Sequence, residues 1–134
     1  MIKLGKGLEA ANRRATGHEA NLIRWLLAHG DKDAERFLSQ IENLTVTSQC
    51  NCGCPTIYFD LGSEVTSRKG ERLISDYLAT VEGKDVGVML FEVGGRLSSL
   101  EVYSCAGTDQ PFGLPEIESL FPWEKLSEHR QNPQ

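Results

Sequence analysis

Near Leu44 the spacing of apolar side chains changes from the 3.6-residue period of a helix to the two-residue period of a strand. The change divides the chain into a helical start and a strand-rich remainder. Upstream, Leu22, Ile23, Leu26 and Leu27 form one stripe, and Ala34, Phe37, Leu38 and Ile41 recur at i, i+3, i+4 and i+7. Thr16-Gly17-His18-Glu19 has the form of a capping box and predicts where the first helix begins. Gly30 reads as its left-handed stop, and Asp31 or Asp33 as the cap of a second helix running to about Asn43. So short a connection predicts a helical hairpin, antiparallel or steeply crossed.

Downstream, β-branched and aromatic residues between glycine-rich breaks predict strands near 44–49, 55–61, 71–82, 85–94 and 96–105. Gly94-Gly95 between Val93 and Arg96 predicts a two-residue hairpin, because both glycines accept the positive φ of a type I′ turn. Glu82-Gly83-Lys84-Asp85 marks a second turn. Followed outward, the register places Leu73, Tyr77, Ala79, Val81, Val86, Val88, Leu90, Leu97, Tyr103 and Cys105 on one face. Ile74, Leu78, Met89, Phe91, Val93, Leu100 and Val102 fall on the other. Two apolar faces are more than one helical hairpin covers, so the second is expected to be closed by sheet curvature, by the C-terminal segment or by another subunit. That segment runs irregularly through Gly107-Thr108-Asp109-Gln110-Pro111-Phe112-Gly113, and Pro115 opens a short helix ending before Pro122. Ile117, Leu120, Phe121 and Trp123 make it the first candidate for the cover. The chain reads as one α+β domain over 1–134, a helical hairpin followed by a four- or five-stranded antiparallel meander and a short C-terminal helix, with 1–14 and 127–134 poorly ordered.

Composition narrows the function. A formal net charge of −5 opposes a phosphate backbone, and the five basic residues within 1–24 (Lys3, Lys6, Arg13, Arg14, Arg24) are offset by Glu9 and Glu19, so nucleic acid is not an expected partner. No run of 18 apolar residues exists, and Met1–Gly7 lacks the apolar stretch of a signal peptide. A cytoplasmic location and no membrane partner follow as expectations. In that compartment thiols are kept reduced.

Cys50-Asn51-Cys52-Gly53-Cys54-Pro55 places three of the four cysteines within five positions. In a straight strand alternate thiols lie roughly 7 Å apart. Tetrahedral zinc needs sulfurs closer than about 4 Å, so a metal site requires the chain to turn, and Gly53 and Pro55 are the residues that allow it. No C-x-x-C is present, and a fourth ligand would have to be Cys105 or one of His18, His29 and His129. A redox-active thiol would need a basic neighbour, and Arg68 and Lys69 are the nearest downstream. The reading preferred on sequence alone is simpler: small apolar residues leading into the strand Thr56 to Leu61, with Cys105 buried on the sheet.

Other signatures are missing. His18-Glu19 would begin H-E-x-x-H, but position 22 is leucine. The P-loop, G-x-S-x-G and G-x-G-x-x-G are absent, and Gly5-Lys6-Gly7 has no strand ahead of it. Asp60, Asp76, Glu92 and Glu101 form no carboxylate pair by spacing. His18 reads as a first-turn residue of a capped helix, His29 as a last-turn residue favoured by the helix dipole, and His129 as part of the tail. No catalytic residue and no bound cofactor are expected.

Gly94-Gly95-Arg96-Leu97-Ser98-Ser99-Leu100-Glu101-Val102-Tyr103-Ser104, followed by Pro111-Phe112-Gly113-Leu114-Pro115, resembles the C-terminal half of small bacterial α+β proteins in uncharacterised families. The resemblance implies a cytosolic bacterial origin and brings no activity with it. The function expected is a non-catalytic binding or protein-interaction domain, meeting a protein partner or a second copy through the uncovered sheet face. One alternative is a metal- or thiol-binding protein using Cys50, Cys52, Cys54 and Cys105, with zinc as the ion. Another is an immunity or stress-response factor of a bacterial toxin system, its acidic surface complementing a basic partner. An enzyme with its site in a cavity between helices and sheet is a further alternative.

Overall fold

The computed structural model describes residues 8–62, 68–107 and 110–131. Gly5-Lys6-Gly7, Thr108-Asp109 and the last three residues lie outside the described residues. The fold is α+β: one antiparallel sheet with helical segments. The strands are β1 (Leu8–Arg14), β2 (Thr45–Cys50), β3 (Ile57–Phe59), β4 (Arg72–Val81), β5 (Lys84–Val93) and β6 (Arg96–Ser104), in the order β1-β2-β3-β6-β5-β4. Helix α1 spans Gly17–Ala28, a 3-10 helix spans Ala34–Asn43, and α2 spans Leu126–Gln131.

Among the described residues the strand count expected from sequence is corrected to six. The additional strand is β1, in the segment read as poorly ordered. Leu8-Glu9-Ala10-Ala11-Asn12-Arg13-Arg14 has no β-branched or aromatic residue to announce a strand. Its pairing with β2 supplies the backbone partners, and the Arg13 guanidinium clasps Glu19 at 2.8 and 3.0 Å. The second member of the helical hairpin is a 3-10 helix, not an α-helix. Phe37 and Ile41 still point into the core, and Gln40 ties the segment to the β5–β6 turn through Gly95 O at 2.8 Å and Leu97 N at 2.9 Å.

The capping box forms as read: Thr16 Oγ1 accepts from Glu19 N at 3.1 Å, and Glu19 Oε1 accepts from Thr16 N at 2.9 Å. Gly30 has a different role from the one expected. It is not in the left-handed region, and a Cβ there would lie 2.5 Å from Ile74 O. Glycine is needed because the end of α1 sits directly on β4, where Asp31 N donates to Ile74 O at 3.0 Å. Both hairpin turns are type I′, with φ 51° and 79° at Glu82 and Gly83 and 57° and 87° at Gly94 and Gly95.

Two bulges redistribute the faces. On β6, Glu92 pairs with Leu97 but Phe91 pairs with Ser99, so Ser98 is an extra residue. Beyond it Leu100 and Val102 oppose Leu90 and Val88 and join the helix-covered face, while Glu101 and Tyr103 turn away. On β4 the same device at Ile74 sends Leu73 to the second face. The core therefore gathers Leu22, Ile23, Leu26 and Leu27 of α1, Phe37 and Ile41 of the 3-10 helix, and Val46, Phe59, Val88, Leu90, Leu100 and Val102 of the sheet.

The C-terminal segment covers one end of the second face. Phe121 pairs with Leu78 along the edge of β4, at 2.8 and 2.9 Å. His129 stacks on Phe121 with ring centres 4.1 Å apart and reaches Thr80 and Asp85, both at 3.2 Å. That anchoring orders residues 126–131 as α2, where the sequence read as a loose end; the helix expected from Pro115 is reduced to one 3-10 turn, Ile117–Ser119. Leu73 and Tyr103 stay exposed on the sheet, as does Trp123 on the tail.

Candidate functional site

The cysteine-rich segment is the loop between β2 and β3, and it is clamped at three points. Cys50 N donates to Thr56 O at 3.1 Å, which closes the loop on itself. Thr56 is buried, and its hydroxyl takes the place of a backbone unit against β6: it accepts from Val102 N at 2.9 Å and donates to Val102 O at 3.1 Å. Gly53 stands at φ +102°, its carbonyl accepts from Phe112 N at 3.1 Å, and a Cβ on it would meet Pro111 at 2.8 Å. Only glycine has both that backbone freedom and that clearance.

So held, the segment turns, and the sulfurs that a straight strand would separate converge. The Sγ atoms of Cys50, Cys52 and Cys54 all lie within 4.8 Å of one another. Cys50 and Cys52 are joined as a disulfide, and Cys54 is a free thiol with its Sγ 3.1 Å from that of Cys52. Cys52 N points to Cys50 Sγ and Cys54 N to Cys52 Sγ, each at 3.4 Å. In a cysteine the thiolate is the form that binds metals and attacks disulfides.

The setting is open and polar. Cys52 is exposed and Cys50 and Cys54 half-buried, and none of the three belongs to the hydrophobic core. The packing reading of these cysteines is corrected accordingly. Beside them a cleft of about 170 Å³ is lined by Arg13, Glu19, Cys50, Cys54, Thr56 and Leu114. Burial pushes the Glu19 carboxyl up, but the Arg13 guanidinium and the two Thr16 bonds outweigh it and hold the carboxyl below its ordinary range. The floor of the cleft is a closed ion pair rather than a free charge.

The fourth cysteine stands apart. Cys105 follows β6 by the β4–β5 turn, where its N–H donates to Asp85 O at 3.1 Å; it is exposed, not buried on the sheet as expected, and it is not part of the sulfur group. Desolvation of its sulfur and the nearby Asp85 carboxylate push its thiol up, away from the reactive thiolate. The histidines are occupied elsewhere: His18 Nε2 lies 3.0 Å from Pro115 O, His29 stacks on Trp25, and His129 packs on Phe121. Among the described residues, Cys50, Cys52 and Cys54 form the only cluster of three or more His, Cys, Asp or Glu ligand atoms.

Sequence reasoning named the three converging cysteines and the turn-forming Gly53. It missed the Thr56 clamp, the Pro111–Phe112 brace and the Arg13–Glu19 floor. A threonine hydroxyl standing in for a ladder partner leaves no local pattern, and the brace joins positions far apart in the chain. No known protein family, curated protein or solved structure matches the chain.

Proposed function

We propose that the reduced chain binds one thiophilic d10 metal ion, zinc or cuprous copper, through the thiolates of Cys50, Cys52 and Cys54. The observation that carries the reading is the convergence of three surface sulfurs within 4.8 Å on a loop braced from outside. A metal–sulfur bond of about 2.3 Å requires sulfurs about 4 Å apart, so opening the disulfide brings the trio to that spacing with side-chain rotation alone. The N–H groups of Cys52 and Cys54 spread the charge that three thiolates accumulate. Three protein ligands suit trigonal cuprous copper directly and leave zinc one outward coordination position. Such an ion is exchangeable, which fits carriage and hand-over rather than a structural knot.

The test is a competition titration of fully reduced protein with zinc and with cuprous copper, together with metal content by mass spectrometry. One ion per chain is expected, with affinity at least about 100-fold weaker in Cys52→Ser and unchanged in Cys105→Ser. Reduced protein that takes up neither ion overturns the proposal.

A protein-interaction role through the second sheet face is the other reading, favoured by Leu73 at 38% and Tyr103 at 37% exposure beside half-buried Met89 and Phe91. A dimer in light scattering that dissociates in Tyr103→Glu supports it. A monomer at all concentrations removes the second copy as the occupant of that face.

A further inference from the structure

We infer that closure of the Cys50–Cys52 disulfide is the release switch of the metal site, so that oxidation by a low-molecular-weight disulfide expels the ion; the inference rests on the metal-binding reading above. The two states compete for the same atoms. Two of the three sulfurs that would ligate an ion are the two joined in the disulfide, and a lone Cys54 thiolate does not retain the ion.

The backbone is suited to both states without refolding. Cys50 and Cys52 have their Cα atoms 5.5 Å apart, within the span of a disulfide, whereas a straight strand would set them about 7 Å apart. Thr56 anchors the loop to β6 and Gly53 is braced by Phe112, so neither clamp passes through a sulfur. Switching then involves side-chain torsions of two cysteines in a fixed loop. Cys52 is exposed, which gives an oxidant access to the central sulfur of the three.

The chemistry balances as follows. The Cys52 thiolate attacks one sulfur of glutathione disulfide, forming a mixed disulfide and freeing one glutathione thiolate. The Cys50 thiolate then attacks Cys52 Sγ, the Cys50–Cys52 bond forms and the second glutathione leaves as thiolate. The two protein sulfurs have lost two electrons and the oxidant has gained them. Zinc leaves as Zn²⁺ with its oxidation state unchanged, and Cys54 takes a proton from solvent.

The experiment loads the reduced chain with zinc, adds glutathione disulfide, reads free zinc with a chromophoric chelator and maps the disulfides by peptide mass spectrometry. One zinc released per Cys50–Cys52 disulfide formed is expected, with uptake restored by dithiothreitol. Cys50→Ser, still carrying Cys52 and Cys54, is expected to form no Cys50–Cys52 bond and to lose the stoichiometric burst. Cys105→Ser is expected to behave as the unmodified chain does. Zinc retained through complete Cys50–Cys52 closure overturns the inference and leaves the metal site standing, and so does oxidation that joins Cys52 to Cys54 instead. No zinc uptake by the reduced chain at the outset overturns the metal site itself and the switch with it.

Discussion

At the scale of single residues, Thr56 does the most for its size. Its hydroxyl both donates to and accepts from Val102, so one side chain satisfies two backbone groups of a central strand that water does not reach. Thr56→Val keeps the shape and removes both bonds, leaving a buried N–H and a buried C=O unpaired. The expected cost is about 2–4 kcal/mol in urea unfolding, with weaker metal uptake because the loop loses its anchor. A variant as stable as the unmodified chain would mean that these groups find other partners. Glu101 is a residue whose charge works against the fold. Burial and the neighbouring Glu71 raise its carboxyl above the ordinary range, outweighing the bond from Ser99 and the pull of Arg68. A folded-state value above the unfolded one contributes stability that is full below the unfolded value and is lost as pH rises through the folded one. Glu101→Gln is therefore expected to raise the melting temperature at pH 7 and to make no difference below about pH 4. Calorimetry across that range checks both arms.

At the scale of elements, what was legible in the sequence and what was not separate along one physical line. The capping box at Thr16–Glu19, the type I′ turn at Gly94-Gly95 and the place of the turn at Glu82-Gly83 were read correctly, because each rests on side chains or φ angles within four residues. The faces of β4 and β6 were not, because a bulge is an extra residue opposite a partner strand and only the pairing shows it. One inserted position at Ser98 moves Leu100 and Val102 into the core and Tyr103 out of it, which is why the sequence divided the apolar side chains of β6 between the faces differently from the structure. At the candidate site the sequence showed that Gly53 and Pro55 would permit a turn, not that one forms; the clamps, supplied by β6 and by the segment after it, left no trace in it. The Ile74 bulge also shows what such an insertion does for packing, since its carbonyl receives Asp31 N–H where α1 ends. Arg72, two residues before it on β4, binds Glu92 at 2.6 Å, Asp31 at 3.0 Å and Asp33 at 3.1 Å and holds the same junction. Gly30→Ala places a methyl group against Ile74 O and is expected to cost about 1–3 kcal/mol. If the variant is instead stabilised, α1 has room to lift off the bulge, and the close approach does not constrain the fold.

At the scale of the whole molecule, the site and the core are separable, and that separation has a measurable consequence. The cluster of Leu22, Phe37, Phe59, Leu90 and Leu100 lies between the helices and the sheet, while the three cysteines occupy a surface loop whose clamps are hydrogen bonds and a proline contact. Nothing in that core depends on sulfur, so the chain is expected to fold before any ion arrives, unlike small domains whose only core is a zinc knot. Metal then adds stability by mass action alone. At a free zinc concentration 100 times the dissociation constant, the gain is about 2.7 kcal/mol. For a domain of this length that is on the order of 8 °C in melting temperature. The gain is expected to grow with the logarithm of zinc and to disappear in Cys52→Ser. It is also expected to disappear under acid conditions, because the ligands must be thiolates and protons displace the ion. Far-ultraviolet circular dichroism of the reduced, chelated chain is expected to match that of the loaded one. If chelation instead melts the sheet, the sulfur loop is part of what holds β2, β3 and β6 together. The ion would then be a structural cross-link, and its release under oxidising conditions would unfold the protein rather than hand over its cargo.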